Sequence, residues 1–140
     1  MRKYLACLSL ILLTVVCTES DRGDGNGNGD GSGPVEDVTA PNVNVTYPHE
    51  GQTVYSYDTI DLSADASDNT KMEKVNFLLQ RISTTELDWD DYVAPYKYEK
   101  WNVPFEFYPC NYTLRATAYD TAGNSAHDAV TFTVVWPGQK

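Results

Sequence analysis

The sequence predicts an all-β protein, an antiparallel β-sandwich of about seven short strands. Three observations carry that expectation. Cys110–Ala126 alternates with period two, placing Tyr112, Leu114, Ala116 and Ala118 on one side and Thr113, Arg115, Thr117 and Tyr119 on the other. Such alternation marks a half-buried strand. It breaks at Asp120-Thr121-Ala122-Gly123-Asn124, where Asp and Gly supply turn chemistry, and a second alternating run follows through Val130, Phe132, Val134 and Trp136. Outside the N-terminus no long segment has helical periodicity, while Tyr, at 10 of 140 residues, together with Thr and Val suits strands. A hairpin with so apolar an inner face needs a second sheet to cover it.

Taken in order, the chain opens on a basic head, Met1-Arg2-Lys3, and an apolar run of 13 residues, Tyr4–Val16. That is the length of a signal-peptide core and short for a membrane span. Cys17 follows at once, then the polar Thr18-Glu19-Ser20-Asp21. This order resembles a bacterial lipoprotein signal. The resemblance implies that residues 1–16 are removed and that Cys17 becomes the lipid-bearing first residue. It further implies a chain exported and held at the outer membrane or cell surface, with the membrane as partner through the lipid. Thr14-Val15-Val16 departs from the family pattern of Leu first and a small residue last. The alternative is an ordinary secretory signal with an incidental cysteine.

Cleavage removes Arg2 and Lys3 from the ten basic residues and none of the 20 acids, so the net charge of −10 becomes −12. So acidic a chain, with no basic stripe, suits no nucleic acid. With Cys17 lipidated, Cys110 has no intramolecular disulfide partner, and the domain rests on its core.

Residues 17–37 hold the lipidation site and a linker rich in Gly, Asp and Asn. This composition buries too little apolar surface to repay ordering and reads as a tether. The 17 residues Thr18–Pro34 span roughly 20–25 Å as a flexible coil. Asp24, Asn26, Asn28 and Gly29 mimic the start of a calcium loop, but Val35 stands where a bidentate Glu belongs. Arg22-Gly23-Asp24 is a tripeptide in a low-complexity segment and reads as spacer.

The folded domain is expected over 38–136, with a short tail at 137–140. Val43, Val45 and Tyr47 alternate in a first strand, and Pro48–Gly51 forms a turn. Ile60, Leu62, Ala64 and Ala66 face inward on a second strand, and Val75, Phe77 and Leu79 on a third. Arg81–Ala94 reads as a long acidic connection, Tyr96–Trp101 as a further strand, and the hairpin completes the set.

The succession TAPNVNVTYPHEGQTV, IDLSADASDN, KMEKVNFLLQ, VAPYKYEKWNVP and NYTLRATAYDTAGNSA resembles a bacterial immunoglobulin-like domain, from about Thr39 to Val135. Domains of that family are repeated in surface proteins and appended to secreted glycoside hydrolases. The resemblance implies the sandwich fold and leaves the task open. It also implies that Tyr112, opening the penultimate strand, bonds back to upstream backbone. Pro109-Cys110 and the acidic, aromatic stretch Arg81–Tyr92 depart from the family pattern, and local additions of this kind are where function is placed.

No catalytic constellation is visible: His49 and His127 have no nucleophile paired with them, and the acids at 86–91 read as a solvated loop. The expectation is a non-catalytic surface lipoprotein whose single domain is structural, adhesive or protein-binding, with an envelope protein or glycan as partner. The alternative is a carbohydrate-binding accessory protein. Residues 89–108 hold eight of the 17 aromatics, and of these Trp89 and Tyr92 are the candidates for ring stacking on sugars. No cofactor is required, but calcium is a candidate ligand. Asp68 and the turn at Asp120, with the acidic pair Glu36-Asp37, should share one end of the sandwich and offer it oxygen ligands.

Overall fold

The computed structural model describes residues 36–138. The signal segment, Cys17 and the linker motifs lie outside the described residues. Among the described residues eight strands form: β1 (Asn42–Tyr47), β2 (Thr53–Tyr55), β3 (Thr59–Ser67), β4 (Met72–Arg81), β5 (Thr84–Asp91), β6 (Tyr96–Asn102), β7 (Cys110–Asp120) and β8 (Ser125–Val135). They build two sheets, β1-β3-β6 and β2-β8-β7-β4-β5. Every pairing is antiparallel except β2 with β8, which is parallel.

The register defines two poles. At one, the end of β7 meets the starts of β4 and β8, Asp120 against Met72 and Tyr119 against Ser125. The chain enters there, because the Asn124 side chain donates to the carbonyl of Asp37 at 3.0 Å. At the other pole, the start of β7 meets the ends of β4 and β8, Tyr112 against Arg81 and Cys110 against Val134.

The alternating patterns do what their period requires. Tyr112, Leu114, Ala116 and Ala118 of β7, Val75, Phe77 and Leu79 of β4, and Val130, Phe132 and Val134 of β8 are buried. Leu62 and Ala64 of β3 and Val45 of β1 cover them from the other sheet. Trp101 reaches this core because β6 carries a bulge. Two residues, Glu99 and Lys100, oppose Asp61, Lys100 takes φ +58°, and its N–H donates to Asp61 Oδ1 at 2.9 Å. The inserted residue shifts the inward phase from Tyr98 to Trp101. There Trp101 meets Tyr112 (5.6 Å) and Phe132 (6.1 Å) edge-on. Such ring pairs add about 0.5–1.5 kcal/mol each beyond their burial.

Two elements differ from the sequence reading. Arg81–Ala94 is not one connection, since β5 lies within it as an edge strand on β4. Its acids hid the strand. Asp88 and Asp90 face the side chains of Asn76 and Lys74, with Asn76 Nδ2 donating to both carboxylates (2.7 and 2.9 Å) and Lys74 pairing Asp90 at 2.7 Å. The tight turn before β5 is Ile82-Ser83, with Ile82 at φ +56°, and it lacks the Asn-Gly chemistry that announces a hairpin. The second is β2, only three residues long and too short to carry a period. The charges of β5 also make that edge resist pairing with other chains.

Candidate binding surfaces

At the pole where the chain enters, three carboxylates from three segments converge. Asp37, Asp68 and Asp120 each present an oxygen within 4.8 Å of the others. Asp120 is fixed by its own turn: its Oδ1 accepts the N–H groups of Ala122 (2.9 Å) and Asn124 (2.8 Å), and its Oδ2 accepts the Asn124 amide at 2.8 Å. Gly123 closes that turn at φ +95°, a conformation glycine adopts without strain. Burial pushes the Asp120 pKa up, but the Asn124 amide and the turn N–H groups outweigh it and hold the carboxyl below its usual range. The Thr70 hydroxyl and the Thr39 N–H do the same for Asp37.

Thr70 Oγ1 lies 2.7 Å from Asp37 Oδ2 and 2.8 Å from Asp68 Oδ2, yet a hydroxyl has one proton to donate. Asp68 Oδ1 is buried with no hydrogen-bond partner. Oxygen donors held together in this state suit a hard divalent cation such as calcium.

The second surface lies on the open side of the sandwich, where the edge strands β5 and β6 face each other without pairing. A groove of about 590 Å³ runs there, lined by Trp89 and Tyr98 on the strands, by Val93-Ala94-Pro95 between them, and by Asp91, Lys97 and Glu99. Trp89 meets Tyr98 edge-on at 5.6 Å. Trp89 and Tyr92 are both exposed, 47% and 60%. They do not form one platform, because Tyr92 is not part of the lining and directs its hydroxyl to Asp90 Oδ2 at 3.4 Å.

The third surface covers the opposite pole. Tyr57, Phe105, Phe107, Tyr108 and Trp136 are exposed large apolar side chains that pack on one another. Tyr57 stacks on Phe105 (5.7 Å, 19°) and Phe107 on Trp136 (6.4 Å, 18°), while Phe105 lies edge-on to both Phe107 and Trp136. Gly138 backs Trp136 so closely that a Cβ there would lie 2.9 Å from the indole.

What fixes this cluster is an inversion of the usual rule. Between the two exposed phenylalanines, Glu106 is buried, only 6% exposed. Its carboxylate accepts the Tyr112 hydroxyl at 2.7 Å and pairs with Arg81 Nε at 3.0 Å, and its N–H donates to Ser56 Oγ at 3.0 Å. The resemblance-based expectation for Tyr112 is thereby corrected: its hydroxyl goes upstream to a carboxylate, not to backbone. Burial first, and then this bond, push the Tyr112 phenol well above its usual pKa. Sequence reasoning counted Phe105, Phe107 and Tyr108 among the aromatics but did not single them out. The only signal was the Phe-Glu-Phe alternation, which by itself places the phenylalanines inside.

A family described as bacterial Ig domain matches residues 41–124. No curated protein matches the chain. Among solved structures, the fibronectin(III)-like modules of Clostridium thermocellum CbhA are similar at 26% identity and TM-score 0.58, over 74% of this chain. The chain spans about half the length of that structure, 50%. Murine CRIg aligns at 11% identity and TM-score 0.41, over 69% of this chain and 97% of the other.

Proposed function

Because the chain belongs to the bacterial Ig domain family, whose fold hosts structural and binding modules alike, we propose that it is a non-catalytic binding module of the bacterial surface, carried on a lipid at Cys17. The docking surface is the aromatic pole, and its partner is a protein of the envelope. One observation carries this reading: a carboxylate is buried so that two phenylalanines can stand in water. The five rings expose on the order of 500 Å², within the range of about 300–600 Å² where a monomer's largest apolar patch is often functional. Tyr57 stands in the left-handed region, at φ +71°, to complete the cluster. That conformation costs roughly 1–2 kcal/mol for a residue with a Cβ. The pole lies at the end of the domain opposite the point where the chain enters it.

The exported chain with Cys17→Ala, mixed with isolated envelopes, should sediment with them. The combined variant Tyr57→Ser, Phe105→Ser and Tyr108→Ser should bind at least tenfold more weakly while melting like its parent. Equal binding by the variant would remove the pole from the function. In cell fractionation, Cys17→Ala should move the protein out of the membrane fraction.

The three-carboxylate cluster is proposed as a structural calcium site that pins the incoming chain to the β3–β4 and β7–β8 loops. Millimolar calcium should raise the melting temperature by about 5 °C, as mass action on the folded state requires. EDTA should reverse the rise and Asp68→Asn should abolish it.

A further inference from the structure

We infer that the groove between β5 and β6 is a binding site for a neutral glycan chain, separate from the aromatic pole. Its volume of about 590 Å³ falls within the range of about 300–1,000 Å³ typical of small-ligand sites. The groove combines what pyranose rings require. Trp89 and Tyr98 offer ring surface for the apolar faces of sugars, and their edge-on contact uses only one ring face of the pair. Asp91, Lys97 and Glu99 supply hydrogen-bonding groups for hydroxyls along the same groove.

Two further observations select the occupant. An extended peptide would add along a free strand edge, but on β6 Asp91 already occupies a backbone donor and fixes the loop beside it. Its Oδ2 accepts the Lys97 N–H at 2.9 Å and its Oδ1 accepts the Val93 N–H at 3.1 Å. The four acids of 86–91 guard the β5 edge against strand addition. An anionic polymer would meet Asp91 and Glu99 in the groove, and Lys97, the one cation of the lining, is already paired with Glu99 at 2.5 Å. What remains is a ligand that recognises flat rings and hydroxyls and carries no charge.

The test is electrophoresis of the exported Cys17→Ala chain through native gels containing hydroxyethyl cellulose, galactomannan or mixed-linkage β-glucan. Co-sedimentation with cellulose, chitin and curdlan covers the insoluble polymers. At least one of these should hold the protein, equally at 50 mM and 500 mM NaCl, because contacts to an uncharged ligand are not screened. Trp89→Ala should weaken retention at least tenfold. Trp89→Leu, which keeps apolar cover over Phe77, should do the same without loss of folding. Tyr92→Ala, outside the groove, and the triple variant of the aromatic pole should bind like the parent. Retention by none of the six polymers, retention that survives Trp89→Leu, or retention lost at high salt would each overturn the inference.

Discussion

Tyr112→Phe is the most informative single change at the aromatic pole. It deletes one hydroxyl and keeps the ring, so the contacts with Trp101 and Phe132 survive. What is lost is a 2.7 Å bond from a buried phenol to the carboxylate of Glu106. Hydrogen bonds to charged groups contribute about 1.5–3 kcal/mol. Arg81 Nε still reaches the same oxygen at 3.0 Å, which offsets part of the loss and brings the expected cost to about 2 kcal/mol. For a domain of this size that lowers the melting temperature by roughly 10 °C. Thermal melts measure it directly. A double-mutant cycle with Glu106→Gln should show a coupling of at least about 0.5 kcal/mol. Amide exchange should accelerate between Val103 and Pro109, because this carboxylate anchors that segment. A shift below about 2 °C without coupling would refute the claim that Glu106 and Tyr112 hold the aromatic segment in place.

Other consequences follow from the packing and charge. Gly123→Ala, forced to keep φ +95°, should lose about 1 kcal/mol in chemical denaturation. Ala116 is fully buried in the middle of β7, so Ala116→Leu should cost about 1–3 kcal/mol through overpacking. Asp37 and Asp120 have pKa values below the usual range, so the unfolded chain binds protons that the folded chain refuses. Their contribution to stability is full above a pH of about 4 and falls as the pH drops through the lowered values. Melting in EDTA between pH 2.5 and 6 should show this slope, and Asp120→Asn should flatten it.

Much of this structure was legible because burial leaves a period. The β7–β8 hairpin, β4 and β3 each read correctly from their alternating apolar residues, except that Trp136, read on the inner face of the hairpin, lies past the end of β8 and is exposed. The convergence of Asp68 and Asp120 was also legible, because both close turns at one end of the sandwich. β5 was not. As an edge strand it has little core to face, and its acids find partners on a neighbouring strand that no local pattern reveals. The aromatic pole failed for a related reason. Phe105-Glu106-Phe107 has the period of a strand, but which side faces inward was decided by Arg81 and Tyr112, 25 residues earlier and six later. Trp89 was rightly placed at the surface, yet its groove partner proved to be Tyr98, whose position depends on how the two sheet edges approach.

The aromatic pole is proposed as a contact surface in the cell. It is tested most directly by placing a photo-crosslinking residue at Tyr57 or Tyr108 and irradiating intact cells. Asp65, exposed on β3 near the opposite pole, serves as the control position. A contact surface at this pole gives one discrete protein adduct from both pole positions and none from Asp65. No adduct from the pole, or the same adduct from all three positions, would contradict it.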